Sequence, residues 1–126
     1  MKQKAIIILF LLTTYACSQA QSLKVVDVAT FEKLTKDKNV FLLDVRTPNE
    51  YKNGHLKGAT LIDFYQSDFK QKLAKLDKQK TILVYCKSGG RSNNTGTILK
   101  EMGFKDVYDL QGGITAWEKA GKPIEK

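Results

Sequence analysis

A chain of 126 residues is long enough for one hydrophobic core and too short for two, so any site it carries must be built within a single domain. Its formal charge of +8 comes from dispersed lysines, with no basic stripe and no aromatic reading motif; nucleic-acid binding is therefore set aside, while a positive field favours a small anionic ligand.

The first twenty residues fall outside that core. "MKQK" gives a positive start, "AIIILFLL" is an apolar run too short to span a bilayer, and "SQA" ends in a small-x-small pattern, so residues 1–20 are expected to be a signal peptide. "TYAC" also resembles a degenerate lipoprotein signal. Cleavage before Cys17 would make that residue a lipid anchor, and cleavage after Ala20 would remove it; both remain open. Either way the expected location is the periplasm or cell envelope, and Cys86 is left as the one free thiol of an exported chain, where an unpaired cysteine points to reactivity.

From Leu23 onward, short apolar runs alternate with amphipathic stretches in the pattern of one α/β domain over residues 21–126. "LKVVDV" reads as a strand and "TFEKLTKD" as a helix. "VFLLDV" has the unbroken apolar character of a strand buried on both faces. In "TPNEY" a helix starts with Thr47 as cap, Pro48 at its first position and Glu50 placed to return the cap's hydrogen bond. "ATLI" is a third strand, and "SDFKQKLAKL" a helix whose Phe69, Leu73 and Leu76 share a face. "TILVY" is the most strand-like segment and is expected at the centre of a parallel sheet. "SNNTGTILKEM" follows as a helix ending at Gly103, with Phe104 packing back on Leu99. "DVYDL" supplies a fifth strand and "ITAWEKA" a last helix; Trp117, Phe104 and Leu110 belong to the core, and "QGG" at 111–113 reads as close backbone packing.

Ligands in open α/β sheets sit beyond the carboxyl ends of the strands, where Cys86 follows the central strand and Asp44 and Arg46 follow the other buried one. In "CKSGGRS", residues 86–92, Gly89 and Gly90 let backbone N–H groups converge, and the next helix adds its positive end; together they predict a thiol largely ionised near neutral pH. Cysteine phosphatases place one more residue between cysteine and arginine than the four found here, and usually carry a histidine where Tyr85 stands. The smaller loop suits one sulfur atom carried on Cys86.

Here the chain resembles the rhodanese family, specifically its single-domain thiosulfate sulfurtransferases. "CKSGGRS" looks like the active-site loop, "DVRTPNEYKNGHLKGA" like the N-terminal signature, and "GFKDVYDLQGGITAWEKAGKPI" like the C-terminal signature, in the family's order. Leu56 and Lys57 stand where the signature usually has isoleucine and proline. The resemblance implies a single rhodanese-like α/β domain, a five-stranded, mainly parallel sheet with helices on both faces. It also implies that Cys86 takes the outer sulfur of thiosulfate as a persulfide and passes it to cyanide or a thiol, without metal or organic cofactor.

In that chemistry Arg91 forks onto sulfonate oxygens, the amides of Lys87, Ser88, Gly89, Gly90 and Arg91 hold anionic sulfur, and Ser88 and Ser92 donate in addition. Lys87 reads equally as a substrate contact or a solvated lysine. Asp44 and Arg46 are candidates for the pocket rim, with the favoured reading a structural pairing in which Glu50 is a partner. His55 is expected to fix a turn. The chain is expected to work as a monomer on a small anionic sulfur donor and a thiol or cyanide acceptor. A persulfide carrier charged by a partner protein fits the loop as well; an arsenate-reductase-like redox enzyme fits poorly, since no resolving cysteine accompanies Cys86.

Overall fold

A computed structural model of the chain describes residues 23–126. The expected signal peptide and the candidate lipid anchor at Cys17 lie outside the described residues. Five strands form one sheet: β1 (Lys24–Val26), β2 (Val40–Asp44), β3 (Thr60–Leu61), β4 (Thr81–Tyr85) and β5 (Val107–Leu110). Their order is β1-β5-β4-β2-β3, and every neighbouring pair is parallel, so the sheet is wholly parallel rather than mainly so.

Four helices make the crossovers that parallel strands require, α1 (Val28–Thr35), α2 (Pro48–Lys52), α3 (Phe69–Ala74) and α4 (Gly90–Glu101), and a fifth, α5 (Gly113–Lys119), follows the last strand. The alternation of strand side chains sorts them onto two faces. Leu43, Ile82 and Val84 pack against Phe69 and Leu73 of α3 and Leu99 of α4. Leu42, Leu83 and Tyr85 pack on the opposite face against Phe31 of α1 and Ile114 and Trp117 of α5.

Local chemistry sets the element boundaries. The first strand is shorter than its apolar run because the Asp27 carboxylate accepts the N–H of Thr30 at 2.9 Å and starts α1 there. The Thr47–Glu50 capping box forms as expected and opens α2. Helix α4 begins two residues earlier than the sequence suggests, directly after Gly89, whose φ of +123° ends the loop in a conformation that other residues rarely adopt. At its far end Phe104 is buried and donates its N–H to the carbonyl of Leu99 at 3.1 Å.

The last helix docks on the loop after β4. Ile114 N–H donates to the carbonyl of Cys86 at 2.9 Å and Thr115 N–H to that of Lys87 at 3.1 Å. Gly113, at φ +60°, makes the approach possible, since a Cβ there would lie 2.5 Å from both carbonyl oxygens. The chain end is tied down too: Trp117 Nε1–H donates to the Pro123 carbonyl, and His55 and Glu125 exchange backbone hydrogen bonds at 2.8 Å. Gly113→Ala is expected to cost about 2 kcal/mol or more, through backbone clash and a strained φ. Gly90→Ala, where no atom lies within 4 Å of the added carbon, is expected to stay within about 0.5 kcal/mol. Denaturant unfolding of the two variants checks the contrast.

Candidate active site

The parallel pairing of β2 and β4 sets Asp44 level with Tyr85, so residues 45–47 and the loop from Cys86 emerge side by side at the carboxyl edge of the sheet. Cys86 points into the α4 side of the core and is 1% exposed. It is the only cysteine among the described residues and is free. Its Sγ accepts the N–H of Gly89 at 3.0 Å and lies 3.3 Å from Ser92 Oγ, which itself donates to the Gly89 carbonyl at 3.2 Å. Of the amides from Lys87 to Arg91, that of Gly89 is the one in contact with sulfur. Lys87, Ser88 and Gly90 are exposed, whereas Ser92 is fully buried in the first turn of α4.

Arg91 is not held out toward solvent. Its Nη1 and Nη2 donate to the two carboxylate oxygens of Glu50 at 2.7 and 2.9 Å, and its guanidinium lies 5.7 Å from the ring centre of Tyr65. The sequence alone offers Glu50 as a partner for Asp44 and Arg46. It serves Arg91 because α2 projects it across the loop, while the same carboxylate still accepts from Thr47. The Arg91 hydrogen bonds, helped by those of Thr47, hold the Glu50 carboxyl down at about 2, and the same pairing raises the Arg91 guanidinium.

Asp44 and Arg46 pair with each other. Asp44, at 0% exposure, lies beneath the rim instead of on it. Its carboxylate accepts Arg46 Nη2 at 2.7 Å and the Tyr85 hydroxyl at 2.6 Å, and Tyr85 in turn accepts the N–H of Leu56 at 3.1 Å. Arg46 also donates to the Gly54 carbonyl at 2.7 Å. Burial first, and the neighbouring Asp44 charge second, push the Tyr85 phenol far upward, so it stays a donor at any working pH. This network joins the end of β2 to the turn at 54–56, where His55 Nδ1 lies 3.0 Å from the Tyr51 carbonyl and its ring stacks on that of Tyr51 at 3.8 Å. Arg46 lines one wall of a cleft of about 240 Å³ beside the loop, shared with Glu50, Lys87, Thr115 and Glu118.

Two further residues belong to the site and escaped the sequence reading. Tyr65, 67% exposed, flanks Arg91; an aromatic in the segment after β3 carries no local signal of that placement. Asp109 in β5 is buried, and its carboxyl is raised to about 6 by burial, with the Ser92 hydroxyl and the Asn93 amide opposing from α4. An acid among the apolar residues of an inner strand was the available clue. Among the described residues no cluster of histidine, cysteine and acidic side chains is arranged to hold a metal ion.

A family model described as a rhodanese-like domain matches residues 27–120. The chain is 33% identical over 99 residues to the thiosulfate sulfurtransferase GlpE of Shewanella oneidensis, covering 79% of this chain and 96% of that protein. It is 40% identical over 90 residues to the probable adenylyltransferase/sulfurtransferase MoeZ of Mycobacterium tuberculosis, covering 71% of this chain but only 23% of that much longer protein. The crystal structure of a rhodanese-related protein from Thermoplasma volcanium superposes with a TM-score of 0.72 at 27% identity, over 81% of this chain and 97% of that one.

The Glu50–Arg91 pair has a pH signature. A folded-state value of about 2 against 4.5 for the free carboxyl means that its stabilisation is complete above about pH 4.5 and is lost as pH falls toward 2. Discounted for partial exposure, Glu50→Gln is expected to cost about 1–2 kcal/mol at pH 7. The difference from the parent should vanish near pH 2, measured by unfolding across pH.

Proposed function

The chain belongs to the rhodanese-like domain family, and on that premise we propose that it is a sulfurtransferase whose donor is thiosulfate and whose acceptor is a thiol or, in an assay, cyanide. The observation that carries the reading is the Cys86 sulfur at the carboxyl end of the central strand, accepting the Gly89 amide at 3.0 Å within a four-residue spacing to Arg91. In the first step the thiolate attacks the outer sulfur of thiosulfate. A new S–S bond forms on Cys86, the old one breaks, and sulfite leaves with its electron pair. In the second step the acceptor's nucleophilic atom takes the outer sulfur and returns Cys86 as thiolate.

The loop's resources fit the charges in these steps. The Gly89 amide is preorganised toward anionic sulfur and needs no rearrangement to act. Lys87, exposed at the cleft, supplies an uncommitted positive charge at the entrance. A small anionic donor and a single working copy of the chain complete the proposal, together with export of the protein by its first twenty residues to the periplasm or envelope, soluble or anchored at Cys17.

One observation favours a second reading. The end-on fork of Arg91, one N–H each from Nη1 and Nη2, is taken up by Glu50, which commits that edge of the guanidinium and much of its charge to a carboxylate rather than a sulfonate. A module charged with sulfur by a partner protein, and handing it on, would need no such grip on thiosulfate.

Intact mass before and after thiosulfate, with sulfite release followed in parallel, tests both. The enzyme reading expects a gain of one sulfur atom, lost on adding a thiol, with sulfite appearing at every turnover. Loading only from a persulfurated protein supports the carrier. Cys86→Ala is expected to stay folded and to lose all sulfur uptake; uptake retained in that variant overturns both readings.

A further inference from the structure

Arg46 keeps a donor group that the fold does not use. Its Nε and Nη2 are committed to the Asp44 carboxylate and the Gly54 carbonyl, whereas Nη1 makes no hydrogen bond among the described residues. The one sealed side-chain polar atom without a partner among those residues is Asp109 Oδ1, so Nη1 is open to solvent although Arg46 is only 4% exposed. The cleft of about 240 Å³ that Arg46 lines is where that opening lies. A guanidinium held in place by its other two nitrogens is preorganised to receive an anionic atom there.

The other walls set the chemistry of the ligand. Lys87 brings an ammonium to the cleft, and Glu118 of α5 brings a carboxylate; neither makes an ion pair among the described residues. Glu50 adds a second carboxylate, already forked onto Arg91. A plain anion such as thiosulfate would meet acids as well as cations, whereas a zwitterion matches both signs at once. The volume lies below the roughly 300–1,000 Å³ of pockets for drug-sized molecules, which suits a ligand of amino-acid size. We propose that the cleft is an acceptor subsite for the α-amino-acid end of a small thiol, with the carboxylate held by Arg46 Nη1 and Lys87 and the ammonium by Glu118. Lys87 directly follows Cys86, and its carbonyl is tied to Thr115 on another wall, so the cleft adjoins the loop that carries the reacting sulfur. The ligand's thiolate forms a new S–S bond to the outer sulfur of the Cys86 persulfide, the bond to Cys86 breaks, and its electron pair stays on Cys86. The transfer step rests on the proposed function; the binding of the amino-acid end does not.

Binding is therefore tested first with L-serine, which has a hydroxyl in place of the thiol of L-cysteine and accepts no sulfur. Backbone amide shifts of the protein are followed as L-serine, 3-hydroxypropionate, which lacks the ammonium, or ethanolamine, which lacks the carboxylate, is added. Saturable shifts at Gly54, Lys87, Thr115 and Glu118 are expected with L-serine, and binding about tenfold weaker with either truncated compound. Glu118→Gln is expected to weaken L-serine while sparing 3-hydroxypropionate, and Lys87→Gln to weaken both. Arg46→Lys, which keeps a charge beside Asp44 and removes Nη1, is expected to weaken L-serine as well; if it does not fold, the two exposed positions decide. Equal binding of L-serine and 3-hydroxypropionate marks an anion site only and overturns the proposal, as do shifts that fail to saturate or variants that bind like the parent. In the thiosulfate-loaded protein, L-cysteine is expected to remove the sulfur at a lower half-saturating concentration than cysteamine or 3-mercaptopropionate; equal values overturn the acceptor role. Loading without preference for the amino-acid end defeats this inference alone, whereas L-serine binding without loading defeats the thiosulfate reading and the acceptor role with it.

Discussion

The site depends on the contact between the start of α5 and the loop after β4. A trans peptide unit directs its C=O and N–H in opposite directions. Once the carbonyls of Cys86 and Lys87 are tied to Ile114 and Thr115, the N–H groups of Lys87 and Ser88 face away from α5. Gly89 then turns through a conformation open mainly to glycine, brings its own N–H to Cys86 Sγ, and starts α4 at the next residue. Because α4 starts there, Ser92 falls in its first turn and against the sulfur. A close backbone approach at Gly113 therefore fixes groups that lie far from it in the chain.

Two ion pairs divide the remaining work by burial. Asp44–Arg46 is buried in the core, and its geometry is completed by the Tyr85 hydroxyl and the Gly54 carbonyl. Such a pair is weak evidence of added stability, but it defines where the turn at 54–56 sits. Glu50–Arg91 lies nearer the surface and joins α2 to α4. Since Glu50 also caps α2, the small helix and the arginine that flanks the loop are held by one carboxylate.

Local signals carried much of this. The capping box at Thr47–Glu50, the central position of "TILVY", the Phe104 contact with Leu99 and the tight packing at 112–113 follow from a few neighbouring residues, and each is found in the fold. Partners far apart in the chain were hidden. Glu50 and Arg91 are separated by 41 positions, as are Asp44 and Tyr85, and no periodicity says which acid meets which donor. Tyr85 stands where cysteine phosphatases usually carry a histidine, and its role lies in the core, where its hydroxyl donates to Asp44. Asp109 stood in plain sight in "DVYDL", yet its burial becomes visible only when β1, β4 and α4 close around it.

The near-complete enclosure of Sγ in Cys86 has a consequence for regiochemistry. In the Cys–S–S⁻ adduct of the proposed function the bridging atom would stay within the wall, leaving the terminal atom as the one open to an acceptor. Attack at the terminal atom hands it over and regenerates the chain unchanged, whereas attack at the bridging atom would expel hydrosulfide and leave a mixed disulfide. In the proposed reaction, enclosure of the cysteine by Gly89 and Ser92 would favour the first outcome through access, apart from the intrinsic reactivity of the two atoms.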